Sequence, residues 1–172
     1  FDQWLWLSSK GLPPFSSMTG LHMFADHGAW FLYIASLVYK FFPSINLLLI
    51  SQSFALCFTT EPIWFIAKNA SLDDSKSFFV CILYLLQPVV FNVNIFDFHP
   101  EVWAMPFIAL TYLAERKNKI ITWSILLFII LGTRDGLVLF VIGLGLEQAF
   151  KRRLIWASIA LFIGSSWLYL LN

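Results

Sequence analysis

Charge is scarce in this sequence. Charged residues make up 12% of the 172, where a soluble domain carries roughly 25% to keep its surface hydrated. A chain so poor in charge cannot solvate its own exterior, and its 59% apolar content requires most of that exterior to face lipid. An excess of one sign is missing too. A formal net charge of +1 excludes the concentrated positive field that nucleic-acid binding needs. Cysteine is almost absent: Cys57 and Cys81 each lie inside an apolar run, which excludes zinc-ligand spacing and a disulfide framework. No internal repeat or low-complexity tract occurs. Neither an initiator Met, a signal peptide nor a first hydrophobic span precedes Phe1-Asp2-Gln3. The chain stops at Asn172 as a hydrophobic segment ends, so it reads as the middle of a larger protein.

What is present is a series of long apolar runs. About 20 apolar residues cross the roughly 30 Å hydrocarbon core as a helix. The candidates are 45–67, 78–96, 102–114, 120–132, 137–150 and 154–171, so residues 45–172 are expected to form about six transmembrane helices in one all-α, polytopic bundle. Lys68 and Lys76, then Arg116, Lys117 and Lys119, then Lys151, Arg152 and Arg153 put eight of the eleven Lys/Arg in three loops. Their charge bias assigns those loops to the cytoplasm. The N-terminal stretch, residues 92–101 and the 133–136 turn then lie on the other side. Trp64, Trp123 and Trp156 near the basic loops, and Trp30, Trp103 and Trp167 near the opposite interface, fit this register.

Residues 28–42 are apolar as well, about 15 residues or roughly 22 Å of helix. If they crossed, 45–67 would run the opposite way and carry Lys68 and Lys76 outside. Residues 1–44 are therefore read as an external loop bearing an interfacial helix, with Lys40 reaching up to the headgroups. Spans 102–114 and 120–132 are short, about 13 apolar residues or roughly 20 Å each. Their polar outer ends must sit below the membrane surface, where irregular backbone is tolerated only along a protein cavity.

That outer side collects Asp2, His22, Asp26, His27, Asp97, His99, Glu101, Arg134 and Asp135. Ionisable groups near membrane depth cost a few kcal/mol each unless paired or hydrated, so their convergence suggests a site. In Asp97-Phe98-His99-Pro100-Glu101 an extended backbone would turn Asp97, His99 and Glu101 to one side, and Pro100 disfavours helix at His99. Two carboxylates and an imidazole so placed can hold a hard divalent cation or move protons. They can equally be an acidic cap on the following helix. Asp26-His27 reads as a helix cap with an interfacial imidazole, or as part of the same site. Arg134-Asp135 is a self-neutralised pair or an anion grip, for which the planar guanidinium is suited. Glu61-Pro62 reads as a kink within 45–67.

In this order the motifs resemble a family of multi-pass bacterial membrane proteins of unknown function that is grouped with the GT-C superfamily of membrane glycosyltransferases. The matching residues are Phe1-Asp2-Gln3, Asp26-His27, Pro43, the Leu-rich stretch ending at Gln52, and Phe96-Asp97-Phe98-His99-Pro100-Glu101. They cover essentially the whole chain. Two positions depart from the pattern. The first acid of the opening motif is not in the chain, and the family's Lys-Glu-Asp reads Thr133-Arg134-Asp135.

The resemblance implies a GT-C-like bundle in a bacterial inner (plasma) membrane that moves a sugar from a polyprenyl-phosphate donor on the non-cytoplasmic face. Under it Asp2, Asp97 and His99 are the expected catalytic residues, and also the ligands of any divalent cation. Asp26, His27, Gln52, Glu101, Arg134 and Asp135 are the expected substrate-binding residues, with Arg134 on the donor phosphate. The expected partners are membrane lipid and the lipid-linked sugar. The alternative is a non-enzymatic multi-pass protein, a transporter or assembly subunit; polar groups on one side and the lack of an inverted repeat speak against a transporter.

Overall fold

The apolar runs fold into helices whose ends are set by local chemistry. The computed structural model describes residues 1–171. Three short helices come first: α1 (Asp2–Ser9), α2 (Met23–His27) and α3 (Phe31–Tyr39). Then follow α4 (Ile45–Phe58), α5 (Thr60–Asn69), α6 (Asp74–Leu85), α7 (Pro88–Ile95), α8 (Ala104–Arg116), α9 (Ile120–Leu131), α10 (Val138–Phe150) and α11 (Leu154–Leu171). Single 3-10 turns at Pro100–Trp103 and Asp135–Leu137 lead into α8 and α10. Among the described residues there is no strand, only an isolated bridge between Phe15 and His22.

Ser44 starts α4 by accepting from the Asn46 N–H at 3.2 Å, and Asp73 starts α6 by accepting from Lys76 N–H at 2.8 Å; both satisfy helix-end donors. Three helices end in the same way. Ser71, Asn118 and Arg152 adopt positive φ of 65°, 54° and 58°, and the next residue's N–H bonds back to the last turn: Leu72 to Ala67, Lys119 to Ala114 and Arg153 to Gln148. This is the Schellman closure, and it makes the basic loops very short.

Two helices are long and apolar enough to cross a membrane: α4 and α5 together (Ile45–Asn69, 25 residues) and α11 (18 residues). The α6–α7 pair is a third if counted as one span bent by 49°. Helices occupy the six expected segments, but only two of them, or three with the bent pair, are long and apolar enough to cross. Helices α8, α9 and α10 stop after 13, 12 and 13 residues, a rise of roughly 20 Å at most, against a core of about 30 Å. The expected single span 78–96 is broken because Pro88 takes the first position of α7, where its missing N–H costs nothing. Pro62 has a milder effect: the helix is interrupted at Thr59 alone. Helix α3, at nine residues, rises roughly 14 Å and cannot cross.

Among the described residues two larger cores and a small cluster of Leu56, Val90 and Val102 organise the chain. Trp123, Leu127, Ile130, Val141 and Ala160 centre the larger one, between α8, α9, α10 and α11. Helices α10 and α11 approach closely through small residues: a Cβ on Gly164 would stand 2.7 Å from Ile142 Cγ1, and one on Gly145 would stand 3.0 Å from Leu161 Cγ. Small residues at a helix contact are how apolar helices associate without a hydrophobic drive between them. The second core gathers Trp4, Leu5, Met23, Leu32, Phe98 and Trp103, and it positions the polar side chains described below.

Trp30 and Phe31 help to join these two cores. Trp30 stacks on Phe128 with ring centroids 5.2 Å apart, the Phe31 N–H donates to the Gly132 carbonyl at 2.9 Å, and a Cβ on Gly132 would overlap the Trp30 indole. Gly132→Ala is expected to destabilise the protein by about 1–3 kcal/mol, the usual cost of overpacking, with much less effect in a Trp30→Ala background. Thermal unfolding of the four proteins in detergent checks this; additive effects would mean that the indole does not rest on Gly132.

Candidate functional site

The Asp97–Glu101 segment and its flanks are held by three consecutive residues of α4, Ser51, Gln52 and Ser53. Gln52 is fully buried; its Nε2 donates to the Val93 carbonyl at 2.9 Å and its Oε1 accepts from the His99 N–H at 2.9 Å. Ser53 Oγ donates to Asn94 Oδ1 at 2.7 Å, and Trp103 Nε1 donates to Ser51 Oγ at 3.1 Å. Gln52, expected among the substrate-binding residues, is instead committed at both ends to backbone that would otherwise be unpaired in the interior. Phe98 is buried against Trp103, with centroids 4.9 Å apart. His99 is extended, at φ −133° and ψ 116°, as a residue before proline should be. Its Nδ1 lies 3.1 Å from Asp97 Oδ1.

Opposite this segment, α1 presents Asp2. Its Oδ1 accepts from the Tyr39 hydroxyl at 2.5 Å. Burial of Tyr39, reinforced by the bond to the Asp2 carboxylate and by its charge, pushes the phenol up to about 12. Phe1 sits centrally, its ring 5.2 Å from His27, 5.8 Å from Phe98 and 6.0 Å from His99. Around it opens a cavity of about 480 Å³ whose walls include Asp2, Asp26, His27 and Asp97, with Phe1 and Trp4 as apolar surfaces. His27 Nδ1 stays 3.6 Å from Asp26 Oδ1. His22 is elsewhere: its Nδ1 accepts from the Phe24 N–H at 3.2 Å and starts α2.

On the other side of the same segment lies a second hollow, also about 480 Å³, lined by Leu56, Val89, Val93, Phe96 and Met105 and reached by His99 and Glu101. Its walls are almost wholly apolar. Glu101 Oε1 accepts from Arg134 at 2.8 Å, while Glu101 Oε2 is buried with no protein partner. Arg134 Nε lies 3.6 Å from Asp135 Oδ1, and Asp135 stands beside Gly28, the left-handed residue that ends α2.

The expected side chains thus divide. Asp2, Asp26, His27 and Asp97 share one cavity; His99 and Glu101 face the apolar groove; Arg134 pairs with Glu101 and has Asp135 on its other side. Among the described residues no three His, Cys, Asp or Glu side chains stand together so as to hold a metal ion, and Asp2, Asp97 and His99 do not form one ligand set. Two features had no signal in the sequence. Tyr39 meets Asp2 across 37 positions, and the apolar groove forms where α7 meets α4, the 96–102 segment and α8.

No curated protein and no solved structure matches the chain. The family model described as "Predicted membrane protein (DUF2079)" matches residues 1–172, and the chain belongs to that family.

Proposed function

We propose that this protein is a membrane glycosyltransferase whose donor is a sugar carried on a polyprenyl phosphate, acting at the face where α1, α2 and the Asp97–Glu101 segment meet. One observation carries the reading: a carboxylate-lined polar cavity and an almost wholly apolar groove adjoin across a single loop, Asp97–His99. An amphiphile with a polar reacting end and a long hydrocarbon tail needs such a pair. Phe1 and Trp4 offer apolar faces to a sugar ring, and Asp26 and Asp97 offer acceptors for its hydroxyls.

In the proposed reaction Asp2 takes the proton of an acceptor hydroxyl. The acceptor oxygen bonds to the anomeric carbon, and the bond from that carbon to the phosphate oxygen breaks, releasing the polyprenyl phosphate. Tyr39 holds Asp2 Oδ1 and leaves Oδ2 to the acceptor. Arg134, with further N–H donors on its five-donor fork, takes the phosphate. The exposed apolar residues of α3, Ile34, Leu37 and Val38, with Phe41 and Phe42 just after it, suit a helix lying in the membrane interface.

The groove is tested by filling it. Val89 lines it and is largely exposed, so Val89→Trp adds bulk without disturbing a core. Binding of a radiolabelled polyprenyl-phosphate sugar to the detergent-solubilised protein should fall by about tenfold or more, the scale on which a single large side chain blocks a complementary site. Undiminished binding would remove the groove from the reading, and no binding by the unaltered protein would remove the donor class.

A further inference from the structure

We propose that the end of the bundle formed by the α8–α9 and α10–α11 turns is a binding surface for a phospholipid that carries two phosphates. The three basic loops are not equivalent. In the α5–α6 loop the charges cancel locally: Lys68 pairs with Asp74 at 2.7 Å and Lys76 with Asp73 at 3.0 Å. In the other two, six basic side chains (Arg116, Lys117, Lys119, Lys151, Arg152 and Arg153) face only Glu115 and Glu147.

Those two acids are used to tie the turns together. Glu115 Oε1 accepts from Lys151 at 2.8 Å and from Arg153 at 3.2 Å, Arg153 also donates to Asn118 Oδ1 at 2.6 Å, and its guanidinium lies 4.0 Å over the Trp156 ring. Arg116, Lys117, Lys119 and Arg152 are all exposed and make no ion pair among the described residues. The tie therefore holds three unpaired cations on the α8–α9 turn beside a single one, Arg152, on the α10–α11 turn, so the first turn answers one phosphate and Arg152 the other. Exposed Ile121, Phe150, Leu154 and Ile155 border them and offer apolar surface to acyl chains. Arg152 adds a further indication. It holds a left-handed backbone that glycine adopts at no steric cost, which projects its side chain from the tip of the turn.

The test uses the full-length protein in neutral detergent, titrated with cardiolipin, with phosphatidylglycerol at equal phosphate, and with phosphatidylcholine, read by native mass spectrometry and thermal shift. Cardiolipin should bind about tenfold or more tightly than phosphatidylglycerol, and its binding should weaken as salt is raised. The variant Lys117→Gln/Lys119→Gln/Arg152→Gly should lose that preference with a melting temperature in detergent alone that does not fall, because glycine accepts the left-handed backbone at 152. Lys76→Gln should leave it intact. Equal binding of the two anionic lipids at matched phosphate, or a triple variant that keeps the preference, would overturn the proposal. Neither result bears on sugar transfer at the opposite end.

Discussion

Asp2→Asn is expected to lower sugar transfer by about two to four orders of magnitude, the range in which a positioned general base contributes, while leaving donor binding unchanged. The substitution keeps the shape of the side chain and can still accept from Tyr39, so what it removes is the basic oxygen. Tyr39→Phe should give a smaller loss, since it frees the carboxylate to rotate without removing it. The two variants differ in their pH dependence. The folded protein raises the Tyr39 phenol from about 10 to about 12. The phenol–carboxylate bond is therefore fully present below pH 10 and is lost as pH rises through 12. Across pH 6–9 the ratio of Tyr39→Phe to unaltered activity should stay constant, and it should approach unity only in strong alkali. A ratio that changes near neutrality would show that Tyr39 does not act by donating to Asp2. Full transfer by Asp2→Asn would remove Asp2 as the base.

Arg134→Ala is expected to weaken donor binding by about 2–5 kcal/mol, the cost of removing one partner from a poorly hydrated charge pair. The geometry allows two causes to be told apart. Arg134 is a third exposed and bonded to Glu101, so its loss also strands a carboxylate whose Oε2 already lacks a partner. If Arg134 serves only Glu101, Glu101→Gln/Arg134→Ala should bind donor as the unaltered protein does, because the stranded charge is gone. If Arg134 holds the phosphate, the double variant should bind as weakly as Arg134→Ala. Arg134→Lys should recover part of the affinity, since an ammonium lacks the two-pronged geometry. Isothermal titration with a polyprenyl-phosphate sugar separates these outcomes, and restoration in the double variant would end the phosphate assignment.

The sequence makes helix positions legible because apolar runs end at charged turns, and those turns close within six residues. The break at Pro88 has a local cause, since proline lacks the N–H that a continuous helix would use, but the unbroken apolarity of 78–96 masks it. The Asp97–Glu101 motif announces itself through Pro100, which forces His99 to be extended. What cannot be read is which distant residue meets it. Gln52 and His99 are 47 positions apart and Arg134 and Glu101 are 33 apart, and no local preference joins either pair. Gln52 illustrates the difficulty: a polar residue in an apolar helix signals a role but not its object. Here that object is backbone, and the side chain fixes the loop that carries the site.

The short turns at the basic end also bear on the order in which the chain assembles. In α8–α9 and α10–α11 each helix meets its neighbour through a turn of a few residues, so pairing them closes a small loop at little entropic cost. The polar end is built from the long-separation pairs named above, and Trp30 must cross the chain to reach Gly132. The two hairpins should therefore form early and the acidic face last. Substitutions at Asp2, Gln52 or Glu101 should then act mainly by hastening unfolding, whereas changes at Gly145 or Gly164 should slow folding itself.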